Sequence, residues 1–91
     1  MINKEVIDKL SVEMREILED ELSAGNEITE TSQDGFSNSL SNHIFIFLKF
    51  PFKTKIRKDI KGVIYTEVND KHYWKAEYND VINHQTIACN F

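Results

Sequence analysis

Residues 43–50 read HIFIFLKF. In an extended chain, successive side chains point to opposite faces. Ile44, Ile46, Leu48 and Phe50 therefore fall on one side, and Phe45 and Phe47 on the other. An alternating run this rich in β-branched and aromatic residues predicts a strand. A strand apolar on both faces is normally covered on both, so something has to lie on each side of it.

C-terminal to this strand, PFKTKIRKDIKG (51–62) holds the basic density of the chain. Phe52, Thr54 and Ile56 alternate with Lys53, Lys55 and Arg57. That period predicts a bent continuation of the strand past Pro51 with one basic side, stopped at Gly62. The runs VIYTEV (63–68) and HYWKAEY (72–78) predict two strands joined by a tight turn, and QTIACNF (85–91) a last strand. N-terminal to residue 43, QDGFSNSLSN (33–42) has loop composition, and EITETS (27–32) is a short strand candidate. Residues 4–24 predict one amphipathic helix. Val6, Ile7, Leu10, Met14, Ile17, Leu18 and Leu22 recur at spacings of three and four. Asn3 stands at its N-cap, Gly25 at its C-terminal stop, and Glu5, Asp8, Glu16, Glu19 and Asp20 on its solvated face.

One helix followed by four or five strands with short connections gives an α+β class. The simplest arrangement is a single domain over residues 1–91, with the helix packed on one face of an antiparallel meander. Pairing Val68 with His72 sets Thr66 against Trp74, Ile64 against Ala76 and Gly62 against Tyr78. Val68, Ile64, Trp74 and Ala76 then point to the core, and Tyr65, Glu67, Tyr73, Lys75 and Glu77 point outward. The expected core is Leu10, Met14, Ile17, Ile44, Ile46, Leu48, Ile64, Trp74, Ala76, Ile87 and Cys89.

The 91 residues carry a net charge of −4, unevenly spread: ten acids and three bases before residue 43, five acids and eight bases after it. An acidic balance argues against nucleic acid as the partner of the basic stripe. With Cys89 alone, no disulfide forms within the chain, which fits a reducing cytoplasm. No stretch approaches the ~20 apolar residues of a membrane span.

His43, His72 and His84 lack the close spacing of metal-ligand pairs, Cys89 falls on the apolar side of its strand, and no phosphate loop is present. No cofactor, metal or catalytic group is therefore assigned. A single helix covers one sheet face, which leaves Phe45, Phe47, Tyr65 and Tyr73 on the other. Together with Lys53, Lys55 and Arg57 they are the candidate interface of a non-enzymatic protein-interaction module. One form of such a module is an immunity- or antitoxin-like inhibitor that presents its acidic helix to a basic protein. A homodimer through the open face, an unidentified protein partner, or the 33–42 loop folding back through Phe36 and Leu40 would cover the aromatics. The alternative is a small-ligand-binding protein or minor enzyme with a pocket between helix and sheet near His43, His72 and Tyr78.

Three stretches, ELSAGNEITET (21–31), IFIFLKFPF (44–52) and VNDKHYWKAEY (68–78), together resemble a family of small uncharacterised bacterial proteins. Its marks are an AGNxI turn after an N-terminal helix, a hydrophobic strand ending in PF and an NDPHYWKAEY-like hairpin. The resemblance spans most of the chain and implies no activity. The chain departs from the pattern at Phe36-Ser37, where relatives carry an aromatic-Pro pair, and at Lys71, where they carry Pro.

Overall fold

The computed structural model describes residues 2–34, 43–49, 61–69 and 74–90. Over these, two helices precede five strands: α1 (Lys4–Asp8), α2 (Val12–Ser23), β1 (Glu27–Asp34), β2 (His43–Lys49), β3 (Ile64–Asn69), β4 (Trp74–Asp80) and β5 (Gln85–Asn90). The α+β class holds, and neither helix is long and apolar enough to cross a membrane.

The single helix expected over 4–24 is two. Asn3 caps α1, accepting from the Glu5 amide at 2.9 Å. The chain then breaks, and Ser11 caps α2, accepting from the Met14 amide at 3.3 Å. A break frees backbone groups that must find other partners. Gln85 of β5 supplies both: its Oε1 accepts from the Ser11 amide at 2.8 Å, and its Nε2 donates to the Lys9 carbonyl at 2.9 Å. Asp80 of β4 accepts from the Ser11 hydroxyl at 2.7 Å. Two sheet side chains therefore hold the break open. No periodicity count could show this, because the determinants lie about seventy residues away in sequence.

The break also resets which residues face inward. Met14, Ile17, Leu18 and Glu21 are the buried stripe of α2, spaced three, one and three apart. Leu22, expected on the stripe, is 41% exposed, and Glu21 in its place is 2% exposed. At the C-terminal end the stop is as expected. Gly25 takes a φ of 95°, which only glycine adopts at no cost. The amide of Asn26 donates to the Glu21 carbonyl at 3.1 Å, and that of Gly25 to the Leu22 carbonyl at 3.0 Å. This double closure satisfies two of the helix's last carbonyls.

The five strands form one sheet in the order β1-β2-β5-β4-β3. It is mostly antiparallel but not a meander, since β2 and β5 run parallel. Parallel neighbours need a long crossover, and everything between β2 and β5 provides it. The reason β5 takes the middle lies in its side chains. Gln85, Thr86, Ile87 and Cys89 are all buried, on both faces, whereas β3 exposes Ile64, Thr66 and Glu67 and can only be an edge.

The β3–β4 register differs from the expected one by three residues. Tyr65 lies opposite Tyr78 and Glu67 opposite Ala76. An odd shift exchanges faces: Ile64, expected in the core, is 58% exposed, and Tyr65, expected outward, turns in. Its ring meets that of Tyr78 with centroids 5.3 Å apart. Two facing tyrosines bury more apolar surface than Ile64 against Ala76 would. The pairing of Asn69 with Trp74 also leaves four residues between them, one more than the loop the expected register assumed.

The core lies between the helices and the inner sheet face. Val6, Leu10, Met14, Ile17 and Leu18 pack there against Ile44, Ile46, Leu48, Ala76, Tyr78, Ile87 and Cys89. Apart from Ile64, the expected core residues are buried where described. Trp74, through its side chain, and the segment 35–42 lie outside the described residues.

Candidate functional site

The sheet face turned away from the helices carries the organised side chains. Along β2, the His43 ring stacks on Phe45 with centroids 4.4 Å apart and planes 27° apart. Phe45 stacks on Phe47 at 5.9 Å and 12°. Side chains at i and i+2 of a strand share a face, so the alternation that made this segment legible as a strand also builds a continuous row of rings. All three are half-buried.

A polar chain runs beside the row. His43 Nε2 lies 2.8 Å from Thr86 Oγ1, and that hydroxyl donates to Asn79 Oδ1 at 2.8 Å. A hydroxyl has one hydrogen to give. With it committed to Asn79, His43 Nε2 is the donor to Thr86 and carries its hydrogen. Register explains the meeting, because Phe45 lies opposite Thr86, and Thr86 opposite Asn79. The turn at 81–84 adds a fourth ring. Asp80 accepts from the Asn83 amide at 3.0 Å and from its side chain at 2.9 Å. His84 follows in the left-handed region, with a φ of 54°. Its carbonyl accepts from the Ile44 amide at 2.9 Å. That bond holds the His84 ring edge-on to His43 at 6.4 Å.

At the other end of the row, a cleft of about 430 Å³ opens beside Phe47. Thr29, Glu30, Phe47, Lys49, Glu77, Ala88 and Asn90 line it, together with Leu48, Ala76 and Cys89 of the same strands. In cross-strand order, Glu30 lies opposite Phe47, Phe47 opposite Ala88, and Ala88 opposite Glu77. Ala88 is the small residue in that row, and the space above it is the floor of the cleft. The register of β1 shifts between Ile28 and Glu30, with Thr29 as the extra residue. Its hydroxyl donates to the Phe47 carbonyl at 3.2 Å. Such a bulge re-aims the residues next to it, and here it places Glu30 beside Phe47.

The inner face holds a different cluster. Glu21, buried, accepts from the Asn26 side chain at 2.8 Å and from the Tyr78 hydroxyl at 3.4 Å. Tyr65 lies against Tyr78. Burial, then the Glu67 charge, push the Tyr65 hydroxyl up to about 12. Burial, then Glu21 and Glu77, push the Cys89 thiol up as well, which leaves it a poor nucleophile.

Of the expected site residues, the structure brings His43, Phe45 and Phe47 together on the outer face. Tyr65 is not with them, because the register puts it on the inner face. Tyr78 is in the core, on the opposite side of the sheet from His43, so the pocket imagined between helix and sheet does not gather these two. His72, Tyr73, Lys53, Lys55 and Arg57 lie outside the described residues. Sequence reading missed Glu21, Glu30, Glu77, Asn79, His84 and Ala88. Ala88 was visible as the one small outward residue of β5. The others needed the strand order.

No family model, curated protein or solved structure matches this chain. Its function has to be read from the outer face itself, whose rings, polar chain and cleft form one surface across the middle of the sheet. Among the described residues, no group of three histidine, cysteine or acidic side chains could hold a metal.

Proposed function

We propose that the chain is a non-enzymatic protein-interaction module whose docking surface is the outer sheet face. The observation that carries this reading is the stacked row His43, Phe45 and Phe47, aligned along a central strand on the side away from both helices. Contiguous aromatics at a surface favour an interface, and rings held by stacking and by the Thr86 bond lose little freedom when a partner arrives. The exposed acids of the helices, Glu5, Asp8, Glu16, Glu19 and Asp20, lie on the other layer, so an immunity- or antitoxin-like inhibitor that presents them to a basic protein would use a second surface. A cytoplasmic setting, with its lone buried Cys89, accords with this role.

The test is affinity capture from the native cell, with mass spectrometry of what is retained. Wild type is compared with Phe45→Lys, Phe47→Lys, after circular dichroism has shown the variant folded. A protein retained by wild type and lost from the variant supports the reading. The same set retained by both would sink it.

A further inference from the structure

The cleft beside Phe47 has a chemistry of its own. One wall is an aromatic ring, the floor is the Ala88 methyl, and carboxylates stand at both ends of the same cross-strand row, Glu30 and Glu77. The cation at its rim, Lys49, lies directly opposite Glu27, where opposite charges offset each other. Both Glu30 and Glu77 are exposed, and the ion pair of Arg15 with Asp8 lies elsewhere. A ring face attracts a cation, and two carboxylates about it select against an anion. A planar guanidinium can stack on the ring and donate sideways to carboxylates at once.

We infer that this cleft receives an arginine side chain of a partner protein, with the guanidinium over Phe47 and between Glu30 and Glu77. The inference deepens the interaction reading and rests on it for the source of the arginine. The volume is that of a side-chain pocket, at the small end of ligand sites. The bulge at Thr29 and the alanine at position 88 are the two features that shape it. Any larger side chain at position 88 would fill the floor, and an unbulged β1 would turn Glu30 away.

The probe is N-acetyl-arginine methylamide, titrated at low salt into the full chain labelled for NMR, with the uncharged citrulline analogue beside it. Arginine should move the Ala88 methyl and the Phe47 ring saturably. The citrulline analogue should bind at least about fivefold more weakly, and added salt should weaken arginine toward it. Glu30→Gln, Glu77→Gln should erase the difference while the amide signals of the helices stay in place. If that variant fails to fold, the wild-type comparison of the two probes decides alone. Equal binding of the two probes, or shifts that leave Ala88 unmoved, would overturn the inference. The two readings also fail separately. An arginine-binding cleft with capture unaffected by Phe45→Lys, Phe47→Lys removes the docking face and keeps the cation site. Capture lost in that variant with no arginine preference at Ala88 does the reverse.

Discussion

Among the described residues, Tyr65 and Asp80 each make the stability of this fold depend on pH. Tyr65, half-buried beside Glu67, is held neutral up to about 12, against about 10 for a free phenol. A raised value in the folded state means the contribution is present below about 10 and is lost as pH rises through about 12. Spectrophotometric titration should therefore show a tyrosine that ionises late, and Tyr65→Phe should delete that late step. A titration unchanged by the substitution would place the late step elsewhere. Asp80 goes the other way. Burial raises it, but hydrogen bonds from Asn83, Ser11 and two backbone amides outweigh burial and hold its carboxyl below the ordinary carboxylate value. Its contribution is present above about 3.9 and disappears as pH falls through its lower folded value. Asp80→Asn should flatten the acid end of the stability curve and leave its alkaline end alone. Urea unfolding across pH reads both limbs.

The elements divide sharply into those the chain announces and those it does not. β2 was plain because its alternation is local and strong, and the end of α2 was plain because Gly25 and Asn26 form their stop with near neighbours. The break at Ser11 was hidden, since it depends on Asp80 and Gln85. The β3–β4 register was hidden too, because two alignments three residues apart both give an alternating hairpin, and the Tyr65–Tyr78 contact separates them. The ring row could be anticipated from Phe45 and Phe47, whereas the cleft needed β5 to lie between β2 and β4. Two comparisons test these elements. Ser11→Ala removes a cap, and should cost about 1–2 kcal/mol, read from the urea midpoint. Ile64→Thr should change stability by less than about 0.5 kcal/mol, while Ile46→Ala, in the sealed core, should cost about 2–5 kcal/mol. A large loss from Ile64→Thr would contradict the register.

For the molecule as a whole, what covers the outer face shows in its mass in solution. Fully burying two phenylalanines stabilises by roughly 3–6 kcal/mol. Phe45 and Phe47 are already half-buried, so a second copy would gain only part of that against the cost of association. Sedimentation at micromolar concentration is therefore expected to give a monomer for the wild type, with the outer face left to a different protein; a dimer that Phe45→Lys, Phe47→Lys converts to monomer would contradict this. A wild-type monomer removes the second copy, and an unfolded lysine variant with it means the rings are needed within one chain. The placement of β5 reaches beyond any of these contacts. The fifth strand in chain order is the middle strand in space, hydrogen-bonded to β2 on one side and β4 on the other. On a ribosome, β1 with β2 and β3 with β4 can each emerge as a hairpin, but neither has the other to lean on until Gln85–Asn90 is free. Before β5 joins them, the two pairs are separate half-sheets, each with a bare central edge. Without β5, Ile46 and Tyr78 each lack a neighbouring strand, and both half-sheets offer an open edge to other chains.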